Sequence, residues 1–160
     1  MNLGFKEFVN KCNDNQFELI TFFGSIDYIA LDNTFFNNLN KITANSSKCF
    51  ISKFHPFWTT FFDNDVSEQN DKSYFDDSRE DIVEYGKDEK YSFIRYHYSI
   101  DYILNKFSAW GWSLKQYKEP KPDFQNAAFK YKDYSTDEVL VDRLNRIPMT
   151  LILEFERTGE

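Results

Sequence analysis

The stretch QFELITFFGSIDYI, residues 16–29, is partly repeated as KYSFIRYHYSIDYI, residues 90–103, and the pentapeptide SIDYI is identical in both. In each copy, the residues before the pentapeptide are apolar or aromatic on both faces and rich in strand formers. This composition is typical of a central β-strand. The match therefore predicts two strands in equivalent positions of a repeated pattern.

After each pentapeptide, the apolar residues change to helical spacing. They are Tyr28, Leu31, Phe35, Leu39 and Ile42 in the first copy, and Ile100, Ile103, Leu104, Phe107 and Trp110 in the second. Ser25 and Ser99 are predicted N-caps, and Asp27 and Asp101 then fall in the first turn, where the helix dipole favours a carboxylate. A catalytic or metal-binding pair of Asp27 and Asp101 is the alternative, but capping accounts for both residues.

The second copy continues with strand patterns at residues 112–120 and 125–132 and with a capping box, STDE, at residues 135–138. A helix is predicted after the box. The chain then ends in MTLILEFE, residues 149–156, which alternates as a strand with one better-buried face.

The first copy offers the same order of elements. Residues 48–54 and 57–62 are predicted strands joined by a turn at His55 and Pro56, and SRED, residues 78–81, resembles a helix cap. The order predicts an α+β fold: a mostly antiparallel sheet with helices chiefly on one face, in a duplicated β-α-β-β-α, ferredoxin-like (split βαβ) pattern.

The length fits one compact domain, residues 1–160, with pseudo-repeats at 16–90 and 91–156 and a short helix at 5–12. The two copies differ at residues 63–77, an acidic insertion in the first. Extra length on a compact scaffold is a place where function often resides.

Charge is unevenly distributed. The formal net charge is −7, and residues 61–90 contain eleven acidic and four basic residues. An acidic chain repels phosphate backbones, so direct nucleic-acid binding is disfavoured. Two cysteines, an N-terminus without an apolar signal region and the lack of a membrane-length apolar run predict a cytoplasmic protein without a membrane partner.

No known catalytic or cofactor motif is present, and we expect no catalytic, cofactor-binding or metal-binding residues. His55 and His97 have no sequence neighbour that defines a nucleophile. A calcium loop starting at Asp63 fails, because Glu68 occupies the glycine position and Tyr74 the bidentate position.

The leading hypothesis is a non-enzymatic acidic inhibitor that binds a basic protein, with a nuclease as the expected partner, and blocks its nucleic-acid-binding surface. A toxin-immunity protein and a phage anti-CRISPR or other anti-defence protein fit equally. Acidic residues for steering would lie beside aromatic anchors. The expected partner-binding residues are Asp63, Asp65, Glu68, Asp71, Tyr74, Phe75, Asp76, Asp77, Glu80 and Asp81.

Two alternatives stay open. One is a nucleotide-binding or hydrolysing enzyme or sensor on the ferredoxin-like sheet, using Arg95, Tyr96, His97 and Asp101. The other is RNA binding through sheet aromatics. A local basic patch would support it, consisting of Lys115, Lys118, Lys121, Lys130 and Lys132.

Overall fold

The structure is a computed structural model that describes residues 5–12, 17–61, 72–85, 91–121 and 138–158. The elements follow in chain order: α1 (Phe5–Lys11), β1 (Phe17–Phe23), a 3-10 turn (Ile26–Tyr28), α2 (Asn33–Ile42), β2 (Thr43–Phe54), α3 (Pro56–Phe61), β3 (Glu80–Tyr85), β4 (Tyr91–Tyr96), α4 (Ile100–Ala109), β5 (Trp112–Lys118), α5 (Glu138–Arg146) and β6 (Thr150–Arg157).

Four strands form the main sheet in the order β1-β2-β6-β5. β1 and β2 are parallel, whereas β6 is antiparallel to both of its neighbours, β2 and β5. β3 and β4 form a separate antiparallel pair. The described part of the chain therefore contains one mixed sheet and one two-stranded sheet.

The core lies on the face of the main sheet that α2 and α4 cover. On α2, Phe35 packs against Phe22 of β1, with ring centroids 5.8 Å apart. On α4, Phe107 stacks on Phe155 of β6 at 4.3 Å. Aromatic groups thus provide much of the apolar burial that fixes these two helices on the sheet.

The opposite face of the sheet is apolar but more exposed. Strand register places Leu19 and Phe23 of β1 on the same face as Phe50 and Phe54 of β2. Leu19 and Phe54 are about half exposed, and Phe23 is 73% exposed. One face of the sheet is thus well packed within the described residues, and the other presents large apolar groups.

The ferredoxin-like prediction is wrong. The two matched stretches form β1 and β4, but β1 pairs in parallel with β2 in the main sheet, whereas β4 pairs antiparallel with β3 outside it. Similar local composition produced two strands without giving them equivalent partners, because pairing depends on long-range contacts.

Two elements of the first copy also differ from the prediction. Residues 57–62 were expected as a strand, but Pro56 begins α3, where its fixed φ suits the first helical turn. Residues 78–81 were expected to cap a helix, but the chain continues into β3, in which Ile82 and Val83 pair with Ile94 and Phe93 of β4.

Other predicted elements are present: the short helix near residue 5 and the strands over 48–54, 112–118 and 150–156. The expected strand at 125–132 and most of the capping box at 135–138 lie outside the described residues. The single domain and its pseudo-repeat boundaries stay predictions. Among the helices of the described ranges, none has the length and apolar character that a membrane crossing requires.

Candidate functional site

Gly24 directly follows β1, at the carboxyl end of the parallel pair of strands. Its φ is +62°, a conformation that favours glycine, and its N–H donates to the Ser52 carbonyl at 2.7 Å. A Cβ built at this position would meet nothing within 4 Å. The backbone here is open to the close approach of a ligand, beside a depression of about 160 Å³ lined by Gly24, Ser52, Lys53, Phe54 and Thr150.

Asp27 lies in the 3-10 turn that follows Gly24. Its carboxylate is buried and forms an ion pair with the buried Lys53 ammonium group of β2, at 2.6 Å. The Lys53 ammonium group also lies 5.8 Å from the centroid of the Tyr98 ring. This pair fastens the turn to the sheet.

The sequence had placed Ser25 at the N-cap and Asp27 in the first turn of a long helix. Both hold these positions, but the helix is only the short 3-10 turn, so the predicted long helix and its cap are wrong. Ser25 makes no side-chain capping hydrogen bond, and Asp32 caps α2 instead, accepting from the Phe35 N–H at 2.8 Å. In the second copy the prediction is confirmed: Ser99 caps α4, and Asp101 lies in its first turn. Asp101 is exposed and accepts a hydrogen bond from Asn105, so it shares no partner with Asp27.

Tyr98, which follows β4, forms hydrogen bonds to the backbone segment that follows the 3-10 turn. Its hydroxyl donates to the Ile29 carbonyl at 2.9 Å and accepts from the Leu31 N–H at 3.0 Å. Its ring stacks between those of Tyr96 and Tyr102, at 6.0 and 5.3 Å. Burial raises the pKa of the hydroxyl, which therefore stays protonated and keeps both hydrogen bonds.

A cleft of about 840 Å³ lies between the 3-10 turn and β4, and it is lined by Tyr28, Ser92, Phe93, Ile94 and Tyr96. The rings of Tyr28 and Phe93 meet edge to face, with centroids 6.4 Å apart and planes at 74°. The cleft is thus largely apolar, with hydroxyl groups from Tyr28, Ser92 and Tyr96.

Both histidines have structural hydrogen bonds. His55 Nδ1 accepts from the Phe57 N–H at 3.2 Å, so Nε2 carries the proton that is shared with Glu119 at 3.0 Å. His97 Nε2 bonds the Tyr74 carbonyl at 2.9 Å. Burial lowers the pKa of both imidazoles, which favours their neutral forms at pH 7.

The expected partner-binding residues are only partly described. Asp63, Asp65, Glu68 and Asp71 lie outside the described ranges. Of the other six, Tyr74, Phe75, Asp76 and Asp77 lie in the segment before β3, and Glu80 and Asp81 are its first two residues.

Some of these six make contacts within the chain. Asp81 is buried and lies within 4.0 Å of Lys72, Arg79 and Arg95, and Asp77 accepts from the Ser99 N–H at 2.7 Å. Phe75 is 81% exposed. The assignment of these residues to a protein partner stays a prediction.

No group of three or more His, Cys, Asp or Glu side chains among the described residues is placed to hold a metal ion. The residues that sequence reasoning missed are Gly24, Tyr28, Phe93 and Ile94. One signal in the sequence could have pointed to Gly24. The residue before SIDYI is a glycine in the first copy, Gly24, but a tyrosine in the second, Tyr98. A glycine at the end of a strand indicates a special backbone conformation.

Comparison with known proteins gives structural matches only. No protein-family model matches the chain, and no curated protein matches its sequence. The solved structures include a proposed S-adenosylmethionine dependent methyltransferase from Listeria monocytogenes, with a TM-score of 0.62 and 15% identity over 91% of this chain and 63% of that chain.

S-adenosylmethionine dependent methyltransferases from Mesorhizobium loti and Clostridium acetobutylicum also match. The first has a TM-score of 0.52 and 13% identity over 89% of this chain and 62% of that chain. The second has a TM-score of 0.51 and 13% identity over 91% of this chain and 60% of that chain. The chain therefore spans less than two thirds of these structures.

These matches contradict the expected non-enzymatic inhibitor, including its immunity and anti-CRISPR variants, because the solved structures that share the fold are S-adenosylmethionine dependent methyltransferases. They do not support the alternative of a nucleotide-binding or hydrolysing enzyme on a ferredoxin-like sheet. The mixed sheet, with its parallel pair β1 and β2 and antiparallel β6, is similar to part of the Rossmann-like fold of these solved structures and not to a ferredoxin-like sheet.

Proposed function

We propose that this chain takes part in S-adenosylmethionine dependent methyl transfer, and that it provides the side of the site that faces the methyl acceptor. The observation that carries the proposal is the open Gly24 turn at the carboxyl end of β1, in a sheet with the methyltransferase fold. Ligands of open α/β sheets bind outside the carboxyl ends of the strands.

The residues present fit only part of a cofactor site. Gly24 permits close approach to the backbone, and Tyr28, 41% exposed in the adjoining turn, offers an aromatic face of the kind that attracts cations. S-adenosylmethionine supplies a methyl group carried on a cationic sulfur. However, the sequence contains five glycines and no GxGxxG pattern.

The strand pairing also leaves the site incomplete. Within the described ranges, β1 pairs with β2 alone. A complete cofactor site needs a glycine-rich turn from a neighbouring parallel strand, and the described residues include no second turn of this kind beside β1.

The chain's own residues keep the turn in position. The Lys53 and Asp27 ion pair fastens the turn to β2, and the Tyr98 hydroxyl holds the backbone of Ile29 and Leu31. These contacts order the backbone before a ligand arrives, which lowers the entropy lost on binding.

Photocrosslinking tests the proposal, since it detects the weak binding expected of a partial site. Ultraviolet irradiation with methyl-labelled S-adenosylmethionine should label the wild-type chain, and Gly24→Val should lower the yield about tenfold or more, because a side chain would block the backbone.

Gly111→Val is the matched control, since Gly111 has a φ of +79° and equally open surroundings but lies after α4. Both substitutions strain the backbone similarly. Equal labelling of the two variants, or no labelling of the wild-type chain, would refute the proposal.

We also propose a cytoplasmic location, because Cys12 and Cys49 are both free. Burial raises the pKa of the Cys49 thiol to about 12, so it is protonated and chemically inert.

A further inference from the structure

We infer that the methyl acceptor is an uncharged aromatic small molecule that binds in the cleft between Tyr28 and β4. The inference rests on the proposed function, since it names the substrate class of that site. Three features of the cleft support this substrate class: its position, the residues that line it and its polarity.

The position of the cleft follows from strand geometry. Ser92, Phe93 and Ile94 are consecutive residues of β4, and consecutive side chains of a strand point to opposite faces. A cleft lined by all three must therefore run along an edge of the strand. Among the described strands β4 pairs only with β3, so the cleft follows the other edge of β4, beside the 3-10 turn.

The lining favours a planar apolar ligand. Tyr28 and Phe93 meet edge to face and are each about half exposed, so a bound ring can pack against the surface that they present. Ile94 adds an exposed aliphatic surface. The volume of about 840 Å³ lies within the usual range of about 300–1,000 Å³ for small-molecule sites.

The charge of the site disfavours anionic ligands. Among the described residues that line the cleft, none is Lys or Arg, and the whole chain carries a formal charge of −7. The described polar lining includes the hydroxyls of Ser92 and Tyr96, which can hydrogen-bond to a neutral phenol or a similar group. An aromatic ring with one such polar substituent matches both the apolar lining and the hydroxyls.

The experiment measures binding of 2-naphthol to the full chain by calorimetry, without cofactor. Wild-type chain should bind it, and Phe93→Ala should weaken binding about tenfold, because the ring that the ligand packs against is removed. Ile94→Ala should weaken it about threefold. Decahydro-2-naphthol, which has a similar skeleton but no aromatic ring, should bind about fivefold more weakly than 2-naphthol.

Ile82→Ala is the matched control. Ile82 is the direct cross-strand neighbour of Ile94 and is exposed, but it does not line the cleft. Its truncation should change the affinity by less than about twofold, and thermal melts should confirm that all three variants fold.

The inference is overturned if wild-type chain does not bind 2-naphthol, if Phe93→Ala binds it normally, or if Ile82→Ala weakens binding as much as Ile94→Ala. Equal affinity for the saturated alcohol would overturn the aromatic class. Crosslinking at Gly24 is independent of these results, so failure of the acceptor assignment is distinguishable from failure of the proposed function.

Discussion

The same two residues, Ser and Asp of SIDYI, have different environments in the two copies. Asp101 is exposed, whereas Asp27 is buried against Lys53. The difference is set by a residue 26 positions along the chain, and local sequence does not reveal such a partner. Capping was a sufficient explanation for Asp101 and an incorrect one for Asp27.

The buried ion pair gives a prediction at this scale. Lys53→Met leaves the Asp27 carboxylate buried without its counter-charge and should lower the free energy of unfolding by about 3–5 kcal/mol. Urea denaturation measures the change. Lys48→Met is the control, because the Lys48 ammonium group that pairs with Glu154 is exposed to solvent, so its loss should lower the free energy of unfolding much less. Equal losses in the two variants would contradict the assignment.

The double variant Asp27→Leu/Lys53→Met extends this test. Since it removes both buried charges, it should be more stable than Lys53→Met alone. Additive losses would mean that the two side chains are not coupled.

At the scale of elements, one pentapeptide begins α4 in the second copy but forms a 3-10 turn in the first. After the first copy, the chain extends through Ile29 and Leu31, whose backbone groups bond the Tyr98 hydroxyl. That tertiary contact favours an extended segment, and the helix starts only at Asn33, behind Asp32.

The two serines therefore differ in their expected effects on stability. Ser99→Ala should lower the free energy of unfolding by about 1 kcal/mol, because it removes the oxygen that accepts from the Tyr102 N–H. Ser25→Ala should change it by less than about 0.5 kcal/mol. Chemical denaturation of both variants checks the difference, and a larger loss from Ser25→Ala would reverse our assignment of the caps.

Strong local patterns were predictable. The alternating pattern of residues 150–156 predicted β6, and the helical spacing after Ser99 predicted α4. Both patterns were sufficient because each is set by residues that are close together in the sequence. Residues 57–61 and 80–85 were assigned to the wrong type. Residues 57–61 have the aromatic composition of a strand but form a helix. Residues 80–85 form a strand because they pair with β4. In both segments the type of element depends on contacts that the local sequence does not contain.

At the scale of the whole molecule, strand order could not be read from the sequence. β2 and β6 are neighbours although about 100 residues separate them, and the pairing of β1 with β2 is parallel. The candidate site also depends on contacts between residues that are distant in the sequence. Gly24 could have been singled out locally, but the cleft joins Tyr28 to β4 across more than 60 residues, and only folding brings them together.

The exposed sheet face yields a prediction for the whole molecule. Phe23 lies on the face opposite α2 and α4, near Leu19 and Phe54, and large exposed apolar patches promote association. Phe23→Lys should therefore lower the concentration-dependent mass seen by light scattering, with a change of less than about 0.5 kcal/mol in unfolding free energy. The adjacent Phe22 is buried against Phe35, so Phe22→Lys should instead destabilise the fold. If wild-type chain and Phe23→Lys associate alike, this face is not the one through which the molecules meet.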